Sequence, residues 1–250
     1  MQEILLIAAS GFAAGLLNAV AGGGTVFTYS ALLAAGISPV QSNATSAVAV
    51  FLGSVASVIA DRRHFALASG RLALLAGFSV LGGGVGAGLM LWSGDRIFAC
   101  VVPWLVLLAT LVFAVSARLR LLVGAVSGRK GGPWTSTVVQ GVVSVYGGYF
   151  SAGVGVMMLA SLSLTEGGAH SQVNAAKNFL SIVLQSAAVV VFMASGVVRM
   201  EPLAIAAAAC VVGGWLGVLV ARSIPELIVR SIVIGSGFVL AAWLFLGQGR

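Results

Sequence analysis

Charged residues are scarce in this chain. Only 8% of its 250 residues are Asp, Glu, Lys or Arg, whereas a soluble domain usually carries about 25%. Because 60% of the residues are hydrophobic, the chain lacks the polar surface that would keep it in solution. The composition therefore excludes an ordinary soluble domain and indicates an all-α polytopic membrane protein.

Side chains that perform catalysis or hold metals are also scarce. The acidic residues Asp61, Asp95, Glu201 and Glu226 sit at the ends of apolar runs rather than inside them. The two cysteines lie within apolar runs, and no cluster of metal-binding side chains surrounds either histidine. The sequence therefore argues against an enzyme, and it predicts no metal site, disulfide framework or cofactor.

Glycine, by contrast, is abundant, and its most informative occurrence is the triplet Gly22-Gly23-Gly24. An apolar run, 4–20, leads into the triplet, and a run of about ten residues, 26–35, leads out of it. The second run is too short for a hydrocarbon core of roughly 30 Å. The triplet thus predicts a break between two half-helices, where freed backbone N–H groups can face an anion.

The same pattern starts again after Pro133. A break at 150–155 precedes a short apolar run, and a polar segment then opens a long run, as 40–46 does in the first half. At a shift of about 130 residues, the glycines of the two halves coincide. We predict two pseudo-symmetric repeats, 1–117 and 134–250, joined by a cytoplasmic linker, 118–133. Each repeat is a broken helix pair followed by three long transmembrane helices.

The basic residues orient these repeats. They form short groups between apolar runs, at 62–71, at 118–130 and at Arg222, which is typical of cytoplasmic loops and not of nucleic-acid binding. These groups share one side of the membrane if each broken pair is a hairpin or two short spans. Both termini are then periplasmic and the repeats are inverted. If the short arms neither cross nor return, the repeats are parallel, which the charges favour less.

Two other glycine clusters lie inside full-length spans. The segments 82–88 and 213–217 space their glycines for close helix packing. Neither phosphate-loop nor dinucleotide spacing is present in 84–88. We therefore predict that these glycines pack helices together.

Small hydrogen-bond donors are concentrated near the two breaks and in the polar segments that follow them. Backbone N–H groups, hydroxyls and amides are the groups that an oxyanion site inside a membrane needs. The candidate substrate-binding residues are Asn18, Gly22, Gly23, Gly24, Thr25, Asn43, Thr45, Ser46, Ser151, Gly153, Asn174, Lys177, Asn178 and Gln185.

Lys177 is the most specific of these candidates, because it is a charged residue inside a predicted membrane span. It lies about 9 Å into its helix, and a cation at bilayer depth costs about 3 kcal/mol, so its presence needs a reason. Contact with an anionic substrate is one reason. Snorkelling to the interface and pairing with Glu166 are the alternatives.

Several segments resemble the TauE/SafE family of sulfite exporters and toluene sulfonate uptake permeases, also called TSUP. They are 15–25 (GLLNAVAGGGT), 34–39 (AAGISP), 43–46 (NATS) and 175–179 (AAKNF). Where relatives often carry a second glycine triplet, Gly153-Val154-Gly155 stands here. The resemblance implies transport of sulfite, organosulfonates or related sulfur-containing anions across the bacterial inner membrane.

Taken with the broken repeats, this favours a secondary transporter that works by alternating access at a midplane site. An anion channel, a passive pore and a transporter of another small organic anion are the alternatives. The coupling ion is left open between H⁺ and Na⁺, since no carboxylate lies at the centre of a span. The expected partners are a small anionic substrate, the lipid bilayer and, as an option, a second copy in a homodimer; nucleic acid is not expected.

Overall fold

The structure is a computed structural model of the chain, and it describes residues 1–20, 23–60, 70–125, 133–166, 170–220 and 226–247. Within these ranges the chain forms nine α-helices and no β-strand, which confirms the expected all-α fold. The helices are α1 (Gln2–Val20), α2 (Thr25–Ala34), α3 (Pro39–Ala60), α4 (Gly70–Ala125), α5 (Pro133–Tyr149), α6 (Val154–Thr165), α7 (His170–Ser195), α8 (Met200–Val220) and α9 (Glu226–Gly247).

Helix α4 consists of two membrane-length segments that meet at a bend. Its 56 residues would extend about 84 Å if straight, far more than a bilayer core. Gly94 bends it with φ 66° and ψ 175°, a left-handed backbone that glycine adopts without a Cβ clash. The helix continues to Ala125, so its last residues fall in the segment predicted as the linker, 118–133.

Five of the described helices, α1, α3, α4, α7 and α8, are long and apolar enough to cross a bilayer. The apolar part of α4, Gly70–Val112, is 43 residues long and supplies two crossings. Large apolar side chains such as Trp92 and Trp215 are exposed, while polar side chains such as Asn43 and Gln140 are buried. This distribution is typical of a multi-pass membrane protein.

Each of the two short helices folds back on the helix before it. A Cβ atom on Gly24, at the start of α2, would lie 2.0 Å from the carbonyl oxygen of Ala14 in α1. Arg71 donates from Nε to Glu166 just after α6, at 3.0 Å, and also contacts Ser136 near the start of α5. Because both residues contact Arg71, the end of α6 lies close to the start of α5. The pairs α1–α2 and α5–α6 are therefore hairpins, named here hairpin 1 (2–34) and hairpin 2 (133–165).

Glycines allow each hairpin to pack closely on a helix of the other half. A Cβ on Gly15 in α1 would lie 2.2 Å from the carbonyl oxygen of Cys210 in α8. Likewise, a Cβ on Gly86 in α4 would lie 2.1 Å from the carbonyl oxygen of Val145 in α5. The prediction that the glycines of 82–88 pack helices together is confirmed at Gly86, whereas Gly84 and Gly88 face open space.

The bundle has two ends that differ in their polar contacts. At one end, named here the Asp95 end, Asp95 Oδ1 accepts a 2.9 Å hydrogen bond from the backbone N–H of Val40 at the start of α3. The other end, the Arg71 end, holds the contacts of Arg71 with hairpin 2. The first segment of α4, about 35 Å long, separates the two ends.

Candidate functional site

A small cavity lies between α3, the connection of hairpin 2 and α7. It has about 230 Å³ of empty space, its mouth included, and its interior has room for about one water molecule. No ionisable acidic or basic side chain is among the nine described residues that line it. Three are polar and six are small or apolar: Asn43, Ser151 and Gln185, then Ala47, Gly147, Gly148, Ala188, Val189 and Phe192.

Asn43 on α3 is buried and reaches across to the other half of the molecule. Its Nδ2 donates to the backbone carbonyl of Tyr149 at 3.2 Å and approaches Sδ of Met90 at 2.9 Å. Its Oδ1 is buried and has no hydrogen-bond partner among the described residues. An unpaired buried acceptor costs about 1–3 kcal/mol, so the position calls for a functional explanation.

Ser151 lies in the break between α5 and α6. Gly153 shapes this break with φ 75°, and a Cβ there would lie 2.9 Å from the Cβ of Ala109. The hydroxyl oxygen of Ser151 is buried, and the described part of the chain gives it no hydrogen-bond partner. The cavity therefore has two polar groups with free hydrogen-bonding capacity, one from each half of the chain.

Gln185 on α7 lines the cavity, whereas Lys177 and Asn178, two other candidates on this helix, do not. Lys177 and Asn178 are half-buried and about two turns from Gln185, toward the Arg71 end, and neither lines the cavity. Among the described residues, no hydrogen bond or ion pair to Lys177 is found. Glu166 pairs with Arg71 at 2.9 Å. The side chain of Asn174 lies outside the described part.

A second group of predicted residues ties hairpin 1 to α3. Thr28 and Ser46 each donate to the carbonyl oxygen of Thr25, at 3.2 and 3.3 Å, and their hydroxyls contact each other. Farther along α3, Asn18 Nδ2 donates to Ser54 Oγ at 2.7 Å. None of these residues lines the cavity, so their polar groups hold the hairpin in place.

The remaining predicted residues make other contacts. Gly23 packs against Val233, with 2.7 Å between an added Cβ and that side chain, and Gly24 packs on α1. Thr45 Oγ1 accepts a 3.0 Å hydrogen bond from the backbone N–H of Arg199, at the Asp95 end. Gly22 lies outside the described residues. Of the glycine triplet, Gly23 and Gly24 therefore do not line the cavity.

This sequence is similar to known proteins across nearly its whole length. The family model described as "Sulfite exporter TauE/SafE" matches residues 7–244. The chain belongs to the TauE/SafE family. It is also 24% identical to a "Probable membrane transporter protein" of Haemophilus influenzae, over 256 residues that cover 96% of this chain and 93% of that protein. The resemblance seen in the sequence is confirmed, and the chain is a membrane transporter of this family.

The structure of this TauE/SafE transporter also shows polar residues that the sequence did not single out. Gln140 on α5 is buried and donates from Nε2 to Ser79 Oγ on α4, at 2.8 Å. Thr28 and Ser54 belong to the contacts of hairpin 1 with α3. Isolated polar residues inside apolar runs were the available signal, since they usually face the interior of a bundle.

The cavity of the TauE/SafE transporter offers hydrogen bonds without a fixed charge. Asn43 supplies an acceptor, Ser151 a hydroxyl that donates or accepts, and Gln185 an amide that does both. Gly147 and Gly148 also line the cavity, and a Cβ on Gly148 would lie 2.2 Å from the carbonyl oxygen of Gly83 on α4. This arrangement offers both hydrogen-bond donors and acceptors to a small polar solute.

Proposed function

We propose that this protein is a secondary transporter of sulfite, organosulfonates or related sulfur-containing anions across the bacterial inner membrane. The observation that carries the proposal is the position of the cavity, where α3 of the first half meets the hairpin 2 break and α7 of the second. Asn43 Oδ1 and Ser151 Oγ are buried there without partners. In this proposal both atoms form hydrogen bonds with the transported anion.

The composition of the cavity supports a weakly held anion. A small oxyanion needs several hydrogen bonds to replace its water shell in a protein interior. Hydroxyl and amide groups supply such bonds without the permanent attraction of an adjacent cation, which favours release as well as binding. In this proposal Lys177, about two turns along α7, adds positive potential on the route toward the Arg71 end.

The narrowness of the cavity supports alternating access over an open pore. Space for about one water molecule does not admit a sulfur oxyanion, so the walls must part for the substrate to enter. The matching contacts of α1 with α8 and of α5 with α4 support a two-fold relation between the halves. Inverted repeats of this kind allow two mirrored conformations of similar energy.

We further propose that the Arg71 end faces the cytoplasm, because in the sequence the basic segments 62–71 and 118–130 connect helices that begin or end there. Helices α3 and α8 then end on the cytoplasmic side, and both termini are periplasmic. The coupling ion is H⁺ or Na⁺ in this proposal.

Counterflow in proteoliposomes tests the function. Vesicles preloaded with unlabelled sulfite should accumulate radiolabelled sulfite from outside, and the flux should saturate. The variant Asn43→Ala should lose most of this flux. Its matched control, Ser42→Ala, changes a buried neighbour on the same helix that donates to Ile37 and does not line the cavity.

Three results would count against the proposal in different ways. Flux that never saturates would indicate a pore. Counterflow of another organic anion but of no sulfur oxyanion would change the substrate class. Equal losses in Asn43→Ala and Ser42→Ala would remove the cavity from the pathway.

A further inference from the structure

The amide of Asn43 has one orientation that its surroundings allow. The carbonyl oxygen of Tyr149 can only accept a hydrogen bond, and it lies 3.2 Å from the Asn43 amide nitrogen. Turning the amide over would place two acceptor oxygens against each other at this distance. Nδ2 is therefore committed to Tyr149, and Oδ1, which can only accept, is the atom left for a ligand.

A fully ionised oxyanion does not suit this acceptor. Sulfite, sulfate and sulfonate groups in their fully ionised forms carry oxygens that only accept hydrogen bonds. One of these oxygens placed against Asn43 Oδ1 would leave both acceptors desolvated and unpaired. A singly protonated oxyanion has one hydroxyl that donates and other oxygens that accept, so it satisfies both kinds of partner.

Resting on the proposed function, we infer that the cavity selects the singly protonated form of its substrate, which for sulfite is hydrogensulfite. Within the proposed substrate class this favours sulfite and other anions that carry a proton near neutral pH over organosulfonates. The hydroxyl of the anion donates to Asn43 Oδ1. Its remaining oxygens accept hydrogen bonds from the Ser151 hydroxyl and the Gln185 amide. Binding the protonated form also carries a proton through the protein on the substrate itself, so proton movement needs no carboxylate at the centre of a span.

Among the described residues, no titratable side chain of the surrounding helices lines the cavity. These side chains include Tyr146 and Tyr149 on α5, Lys177 on α7, Tyr29 on α2, and Arg71, Arg96 and Asp95 on α4, of which Asp95 accepts a hydrogen bond at the start of α3. The side chain of His170, at the start of α7, lies outside the described part. Tyr149 directs its hydroxyl to Ser93 and Tyr146 to the carbonyl of Ala152. The protonation state of the ligand is therefore the expected source of pH dependence in binding.

Calorimetric binding to the purified full-length protein tests this inference with two probes. Hydrogensulfite loses its proton to form sulfite near neutral pH. Methanesulfonate stays fully ionised over the same range and has no hydrogen-bond donor. Between about pH 6 and pH 8, we expect the sulfite Kd to rise about tenfold per unit above the pKa of hydrogensulfite. Methanesulfonate should bind at least about tenfold more weakly than sulfite at the lower pH, with no pH dependence.

Titrations above the pKa of hydrogensulfite, in buffers of different ionisation enthalpy, count the protons taken up. We expect about one proton for each sulfite bound and none for methanesulfonate. In Asn43→Ala the acceptor is gone, so the pH dependence of sulfite binding should flatten, while Ser42→Ala should keep it. The wild-type comparison decides the matter even if Asn43→Ala does not fold.

The opposite results distinguish a failure of hydrogensulfite selection from a failure of the transport function. Sulfite binding that is independent of pH, or tighter at high pH, would overturn the selection of hydrogensulfite and leave the transport function standing. Equal binding of methanesulfonate and sulfite at low pH would do the same. Absence of both binding and counterflow for every sulfur oxyanion would overturn the proposed function as well.

Discussion

Asn43 is fixed by groups that lie far from it in sequence. Its amide nitrogen binds the carbonyl of Tyr149, a residue more than 100 positions later. The sequence singled out Asn43 because a polar residue in an apolar helix usually faces the bundle interior. That its oxygen rather than its nitrogen is left free could not be predicted, since this depends on how hairpin 2 docks against α3.

Substitution of Ser151 tests the cavity with little expected effect on stability. Its hydroxyl has no partner to lose among the described residues, so Ser151→Ala should leave thermal stability within about 0.5 kcal/mol of wild type. The flux of sulfite should fall about tenfold, because one hydrogen bond to the anion is lost.

The control for this substitution is Ser161→Ala on α6. Ser161 is also buried, donates to the carbonyl of Met158 at 3.0 Å and does not line the cavity. Its variant should transport at the wild-type rate. If the two serine variants transport equally well, Ser151 has no contact with the substrate.

Two substitutions test whether the positive charge of Lys177 contributes to transport: one removes the charge and the other keeps it. An anion that leaves water gains from a cation within the protein, so Lys177→Ala should lower sulfite flux by at least about tenfold. Lys177→Arg keeps the charge and should retain much of the flux. Membrane insertion of both variants is checked by surface labelling and size-exclusion chromatography. Wild-type flux in Lys177→Ala would place Lys177 outside the pathway.

At the scale of helices, glycine and proline in the sequence located most boundaries. The triplet predicted the break before α2, and the segment 150–155 predicted the break before α6. The end of α4 was harder to predict. Arg118 and Arg120 indicated a loop because they are charged, yet arginine is a good helix former and the helix continues to Ala125.

Two glycines that differ in their surroundings test helix packing. In Gly15→Ala the new Cβ would lie 2.2 Å from the Cys210 carbonyl oxygen, so α1 and α8 must separate. We expect a loss of about 1–3 kcal/mol in thermal or denaturant unfolding. Gly84→Ala meets nothing within 4 Å and should stabilise α4 by up to about 1 kcal/mol. Similar effects of both substitutions would contradict the close packing of α1 on α8.

Across the whole molecule, the two halves are interlocked. Hairpin 1 of the first half packs on α8 of the second, and hairpin 2 of the second packs on α4 of the first. The shift of about 130 residues predicted which helices correspond, but it carries no information on which half each hairpin contacts. A simple rocking of 1–117 against 134–250 would break both sets of contacts. The moving parts are therefore expected to combine elements of both halves.

The direction of the whole bundle can be measured with single cysteines, in a background where the exposed Cys100 is replaced by serine. Arg96 is exposed at the Asp95 end, and Trp134 is 78% exposed near the Arg71 end. We expect a membrane-impermeant maleimide to label Arg96→Cys in intact spheroplasts and Trp134→Cys only after lysis. This follows from the basic segments holding the Arg71 end in the cytoplasm. The reverse pattern would invert the orientation, and labelling of both from outside would contradict the placement of the two ends on opposite sides.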